Sequence, residues 1–172
     1  MSQRAQQLIW IVAAAFAVAA VDQITKFIII RAIPYGSVTF EGREAVFFFF
    51  THERNTGLMG GMLHHKPLLV MIAPLAAIAV LAYLFRHLNA GSRVQSLAYG
   101  FVAGGAIGNL IDRFFRGSVV DFLQFHFYFI PFEFPWKRYP AFNVADSAIC
   151  TGVFLLIVTW YWLDRPHVSR TV

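Results

Sequence analysis

The sequence predicts an all-α membrane fold, a four-transmembrane-helix bundle carrying a small extracytoplasmic β-hairpin and loop platform. Composition is the first reason. The 172 residues are 58% hydrophobic and 13% charged, with mean hydropathy +0.60, whereas soluble domains are roughly 25% charged. A soluble chain of about 150 residues buries only some 70% of its area, too little to hide this much apolar surface. A disordered chain is excluded for the opposite reason, since disorder needs low hydrophobicity. The second reason is four separate apolar stretches near the 20 residues that a membrane helix needs. The third is that the connections between them are themselves rich in phenylalanine.

The first stretch runs from about Leu8 to Ile30. Arg4 ahead of it and Ala17-Val18-Ala19 inside it imitate a cleavable leader, but the apolar run continues well past that point, so a retained anchor is expected. The second runs from 68 to 85, with Pro67 suited to its first turn and Pro74 expected to kink it. The third runs from 94 to 111, and there Gly100, Gly104 and Gly108 form a smooth ridge for close helix packing. The fourth runs from 141 to 163 and contains Cys150, the only cysteine, expected as a small core residue. No internal repeat or long linker interrupts the pattern, and residues 1–172 read as one integral membrane domain.

Four spans place both termini on one side. That side carries Arg4, Arg86, Arg93, Arg165 and Arg170 in short segments. The other carries Arg31, Arg43, Arg54, Lys66, Arg113, Arg116, Lys137 and Arg138 spread over two long connections, 31–67 and 112–140. The positive-inside rule weights short loops, so the termini are expected in the cytoplasm and the long connections outside. The cations form no stripe that could track a phosphate backbone, and no nucleic-acid partner is expected.

The outer connections hold 13 of the 19 phenylalanines. Val38-Thr39-Phe40, Glu41-Gly42-Arg43 and Ala45 to Phe50 read as a short hairpin with a glycine turn. Phe125, Phe127 and Phe129 alternate with His126 and Tyr128, and Phe132, Phe134 and Trp136 continue the period. Such residues suit an interfacial aromatic belt, and equally a surface that receives a substrate from the bilayer.

Ionisable residues within spans cost at least about 2.5 kcal/mol each on insertion scales. Asp22 and Lys26 lie four apart in the order that favours pairing, and Asp22 is roughly 12 Å below the outer end of its span at 1.5 Å per residue. They read as a structural ion pair or as the relay of a small ion-coupled carrier. Asn109 and Arg113 follow the glycine ridge, with Asp112 at the boundary, and could hold carboxylates or peptide backbone, or cap the bundle. Asp121 follows the third span and Asp146 opens the fourth. Because those spans run in opposite directions, both carboxylates fall at the outer face. Neighbouring carboxylates cannot both ionise easily, and a pair sharing one proton can activate water and protonate a leaving nitrogen. The same pair could bind a cation. Rival chemistries are less well supported: there is no His-Glu-x-x-His, no Gly-x-Ser-x-Gly and no Walker loop, and His52, His64 and His65 read as solvated loop residues.

Five blocks now come together: Asp22-Gln23-Ile24-Thr25-Lys26; Arg54-Asn55-Thr56-Gly57; Gly104 through Asn109 to Arg113; Val119-Val120-Asp121-Phe122; and Phe142-Asn143-Val144-Ala145-Asp146-Ser147. In this order, over essentially the whole chain, they resemble the lipoprotein signal peptidase (signal peptidase II) family. The resemblance implies an intramembrane aspartyl endopeptidase of the bacterial inner membrane, with the catalytic dyad Asp121 and Asp146 at the periplasmic face. It implies a supporting set of Asp22, Lys26, Asn55, Gly57, Asn109, Arg113, Asn143 and Ala145, with no metal and no cofactor. The implied partners are membrane lipid and a prolipoprotein signal peptide followed by a diacylglyceryl-modified cysteine, cut just before that cysteine. The implied enzyme is a monomer, inhibited by globomycin, with a lid from the first outer connection. Two segments depart from the family pattern: Leu58-Met59-Gly60-Gly61, and the long, phenylalanine-rich stretch from Leu123 to Pro140. A homologue that binds lipoproteins without cutting them is the other reading these departures leave open.

Overall fold

The computed structural model describes residues 1–39, 47–58, 65–87, 92–127, 129–135 and 137–163. The hairpin turn at 41–43, Met59 to Gly61 of the departing segment, His64, Tyr128, Trp136, Arg165 and Arg170 lie outside the described residues.

Helix α1 (Gln3–Ala32) starts at Ser2, whose hydroxyl accepts the Ala5 N–H at 3.2 Å, one of the donors a helix start leaves unpaired. Strand β1 (Phe48–Asn55) follows, then α2 (Pro67–Leu84), with Pro67 in its first turn and Pro74 inside it. Helix α3 (Arg93–Arg116) is capped by Ser92 and closed by Gly117 at φ 74°, the left-handed position that favours glycine. Strand β2 (Val119–Phe125) and helix α4 (Val144–Leu163) complete the chain.

Among the described residues three helices, α1, α3 and α4, are long and apolar enough to cross a membrane. At 1.5 Å per residue the 18 residues of α2 reach about 27 Å, slightly short of a hydrocarbon core of about 30 Å. The third helix continues five residues beyond the expected Ile111, so Asp112, Arg113 and Arg116 are helical rather than part of a loop. The cause is visible in the sequence: the segment turns polar there, which ends an apolar run without ending a helix.

Helix α3 is the axis of the bundle, buried at Ala98, Val102, Gly104, Ala106, Gly108, Asn109 and Asp112. Its glycines admit the neighbouring backbones. A Cβ at Gly104 would stand 2.5 Å from the Ala15 carbonyl oxygen of α1, and one at Gly105 would stand 2.4 Å from the Ala145 carbonyl oxygen of α4. Gly104→Val therefore forces α1 and α3 apart, and a loss of about 3 kcal/mol is expected from overpacking against backbone, read as a lower unfolding temperature in detergent. The outward faces are apolar, with Val12, Phe16, Phe27, Phe154 and Trp160 exposed, as lipid contact requires. Cys150 is on such a face and is exposed, not in the core.

The platform is a two-stranded antiparallel sheet of β1 and β2. Phe48 pairs with Phe125 and Phe50 with Leu123; the register then shifts and resumes at Glu53 with Asp121. The expected local pairing is present beside it: Val38 bridges Thr51, the Thr39 N–H donates to the Phe50 carbonyl at 2.8 Å and the His52 N–H to the Ser37 carbonyl at 3.2 Å. The longer partner of β1, which was not expected, comes from the second outer connection. That connection returns along β2, where Phe142 bridges Leu123 and Arg138 bridges His126. Apolar residues on β2 seat the sheet on α1, through Val120 and Phe122 against Ile29 and Ile33. His52 is buried in β1 rather than solvated, with Nδ1 2.9 Å from the Ile33 carbonyl oxygen.

Candidate functional site

The tight turn at Gly117 sends β2 straight back over the end of α3, and the antiparallel return through Phe142 sets the start of α4 beside it. This brings Asp121 and Asp146 to one end of the bundle. The two share Asn143. Its amide Nδ2 donates to Asp121 Oδ1 at 2.7 Å, while its Oδ1 accepts the Asp146 N–H at 2.9 Å and Asp146 Oδ2 accepts the Asn143 N–H at 3.3 Å. The reciprocal pair is a capping box at the start of α4, so one residue both starts the helix and holds the opposite carboxylate. Asn55, at the end of β1, donates to Asp121 Oδ2 at 3.0 Å. Asn109 on α3 donates to Asp146 Oδ1 at 2.8 Å.

Among the described residues, neither of these carboxylates forms an ion pair. Each is held by neutral carboxamides and backbone. Asp121 is only 2% exposed. Burial, and then repulsion from Asp146, push its carboxyl from the ordinary 3.8 up to about 7, although the bonds from Asn55 and Asn143 pull the other way. The sign for stability follows. A carboxyl that binds its proton more tightly when folded favours the folded state fully below about 3.8, and that stability is lost as pH rises to about 7. Stability should therefore fall across this window, at up to about 1.4 kcal/mol per pH unit, observed as a falling unfolding temperature, and Asp121→Asn should reduce that slope. A slope unchanged in the variant would assign it to another group.

A second pair of carboxylates behaves differently. Asp22 and Asp112 are fully buried and bracket Lys26, whose Nζ lies 2.8 Å from Asp22 Oδ2 and 2.9 Å from Asp112 Oδ2. Lys26 also donates to Asn109 Oδ1 at 3.1 Å, and Arg116 pairs with Asp112 Oδ1. Gln23 joins both carboxylates, at 3.2 Å to Asp22 and 3.1 Å to Asp112. Asp22 Oδ1 accepts the Ala145 N–H at 2.9 Å. A Cβ at Gly108 would meet this carboxylate at 2.7 Å, so the third glycine of the ridge makes room for Asp22 rather than for a helix backbone.

Lys26 and Arg116 pair with Asp22 and Asp112, while Arg113 interacts electrostatically with Asp146 and Asp121 and also with Asp112. Arg113 itself donates to the Gly57 carbonyl at 2.8 Å, and the Gly57 N–H donates to Asn55 Oδ1 at 2.8 Å. All ten residues singled out from the sequence thus lie in one connected set. Gln23, Asp112 and Arg116 join this set without being among the site residues expected from the sequence. The available signal was spacing, since Asp112 and Arg116 repeat the i,i+4 acid–base order of Asp22 and Lys26. Among the described residues, no group of three or more His, Cys, Asp or Glu has a metal-binding arrangement.

An aromatic surface adjoins the site. Phe47 packs on Phe125 with ring centroids 4.9 Å apart and on Phe127 at 5.4 Å, while Phe125 reaches Phe142, just ahead of Asn143, at 5.7 Å. Phe50, Phe129 and Phe132 are exposed.

Comparison with known proteins agrees along most of the chain. A family model described as Signal peptidase (SPase) II matches residues 14–162. A lipoprotein signal peptidase of Syntrophotalea carbinolica is 40% identical over 152 residues, covering 86% of this chain and 87% of the relative. One from Bacillus pumilus is 36% identical over 146 residues, covering 84% and 87%. Among solved structures, a bacterial membrane enzyme determined by the in meso method at 2.3 Å superposes with TM-score 0.73 at 28% identity, covering 90% of this chain and 91% of that one. Another at 1.9 Å gives TM-score 0.71 at 30% identity, covering 90% and 94%.

Proposed function

The chain belongs to the signal peptidase II family, and from that premise we propose that it is an intramembrane aspartyl endopeptidase that removes signal peptides from diacylglyceryl-modified prolipoproteins. Cleavage falls just before the lipidated cysteine, and Asp121 and Asp146 are the reacting pair. The observation that carries this reading is that both carboxylates share Asn143 and are held by neutral amides, beside two other carboxylates that are fully ion-paired.

A singly protonated pair supplies both halves of peptide hydrolysis. The ionised carboxylate takes a proton from water as its oxygen attacks the scissile carbonyl. The protonated one polarises that carbonyl and then delivers a proton to the leaving nitrogen. The C–N bond breaks, leaving a new carboxylate on the signal peptide and a free amine on the lipidated cysteine. Asn55, Asn109 and Asn143 donate hydrogen bonds that orient both acids without neutralising them, and Arg113 fixes Gly57 and thereby the loop after β1. Asp22, Lys26 and Ala145 support the pair from beneath. Because the reactive form carries one proton, kcat/KM is expected to fall about tenfold per pH unit above about 7, as Asp121 ionises. A flat profile between pH 7 and 9 would contradict that protonation state.

The reading includes one integral domain of four spans, with α2 as the short one, both termini in the cytoplasm of a bacterial inner membrane and the pair at the periplasmic face. The exposed phenylalanines then lie at the lipid interface, where a signal peptide helix can enter laterally while two acyl chains stay in lipid. The enzyme works as a monomer without metal or cofactor and is inhibited by globomycin. The test is a gel-shift assay of purified protein in lipid on the same prolipoprotein with and without its diacylglyceryl group. Cleavage of the lipidated form alone, stopped by globomycin, is expected. An intact lipidated substrate would overturn the peptidase reading in favour of lipoprotein binding without cleavage.

A further inference from the structure

The buried ion cluster touches the chain at two places that have a common relation to the reacting pair. Asp112 Oδ2 accepts the N–H of Val120 at 3.0 Å, the residue immediately before Asp121. Asp22 Oδ1 accepts the N–H of Ala145 at 2.9 Å, the residue immediately before Asp146. Lys26 lies between the two clamps, bonded to both carboxylates and also to Asn109, which itself holds Asp146. Asp22, Lys26 and Asp112 are all 0% exposed.

We propose that Asp112 is a positioning residue for the reaction: with Asp22 and Lys26 it forms a yoke that grips the backbone ahead of each reacting carboxylate and sets their separation. This rests on Asp121 and Asp146 being the reacting pair. The yoke draws on four different elements. Asp22 and Lys26 come from α1, Asp112 from α3, and the gripped amides from β2 and α4. Side-chain amides alone would leave both carboxylates free to move with their backbones. A dyad must hold its two oxygens to within about 0.5 Å of productive geometry, and a misplacement of about 1 Å can cost about 10²-fold in rate. Fixing the preceding peptide N–H restrains the Cα from which each acid projects. A charged acceptor suits this task, since hydrogen bonds to ionised groups are roughly twice as strong as neutral ones, and the Lys26 bridge couples one clamp to the other.

The test compares Asp112→Asn with Asp112→Leu. Both remove the charge, but only the first keeps an oxygen able to accept the Val120 N–H. Amide hydrogen exchange at Val120 reads the clamp without any need for activity: exchange is expected to stay slow in Asp112→Asn and to accelerate at least about 10²-fold in Asp112→Leu. With the lipidated prolipoprotein, Asp112→Asn is expected to keep kcat within about tenfold. Asp112→Leu should lose about 10²-fold or more in kcat with KM within about threefold, and its alkaline pH limb should move below about 7 as Asp121 drifts from Asp146. Asp112→Ala replaces Leu if the larger side chain prevents folding. Equal loss of kcat in Asn and Leu variants with an unmoved pH limb would overturn the proposal, since a structural charge alone explains that result. Absence of cleavage by the wild-type protein would instead defeat the peptidase reading, with the exchange comparison still reporting on the clamp.

Discussion

Asp121→Asn and Asp146→Asn are each expected to lower kcat on a lipidated prolipoprotein by at least about 10³-fold while leaving the protein folded in the membrane. A carboxamide has nearly the shape of a carboxyl but neither gains nor loses a proton near neutrality, so it removes proton transfer and keeps the outline of the site. General acid–base catalysis contributes about 10²- to 10⁴-fold, and groups that act as a unit lose nearly everything when one is removed. KM should therefore change little. The two variants should differ in stability. In Asp121→Asn a buried acid that resists ionisation is replaced by a neutral group, so the variant should be as stable as wild type or more so above pH 7. In Asp146→Asn the Asp146 N–H still reaches Asn143 Oδ1, but Oδ2 no longer receives the Asn143 N–H, and a cost of at most about 1 kcal/mol is expected for the weakened cap. Turnover within tenfold of wild type in either folded variant would remove that residue from the reaction.

The parts of this fold that hydropathy reveals are those where a whole face must meet lipid. Three of the four apolar runs become helices long enough to span, and the fourth becomes α2. The helix end at Arg116 was hidden because Asp112, Arg113 and Arg116 look like loop residues until their partners are known. Asp112 is fully buried only because Lys26, Gln23 and the Val120 N–H converge on it from elsewhere. The pairing of β1 with β2 was also hidden. The local pairing of Val38 and Thr39 with Phe50 and Thr51 is legible and forms, but β2 also seats its apolar residues against Ile29 and Ile33 and so offers β1 a second, fixed edge. Site residues were easier to single out than sheet partners. Burying a carboxylate, lysine or asparagine needs a reason, and Asp22, Lys26, Asn109, Asp121 and Asn143 are all buried. The burial of His52 is not legible in the sequence, because nothing in its neighbours shows that the Ile33 carbonyl would meet its ring.

Lys26→Met is expected to cause the largest loss of stability of any single substitution considered, about 3–5 kcal/mol, observed as failure to accumulate in the membrane or as a fall in unfolding temperature of about 10 °C or more. The estimate comes from what the lysine leaves behind. Methionine fills much of its volume, so packing is nearly preserved. Asp22 and Asp112, however, would remain fully buried with their cation gone. Asp112 keeps Arg116 and Gln23, whereas Asp22 keeps only Gln23 and the Ala145 N–H among the described bonds. The greater part of the loss thus arises at Asp22. Pairing Lys26→Met with Asp22→Leu, which removes the stranded charge, should recover much of the stability, because replacing a whole buried ion pair by apolar side chains is often neutral or favourable. It should not recover activity, because the Ala145 N–H then has no acceptor and the backbone ahead of Asp146 is released. Stability without turnover in the double variant would separate the two roles of the cluster, one in holding α1 against α3 and the other in placing Asp146. Recovery of both would show that Lys26 and Asp22 serve only to hold the helices together.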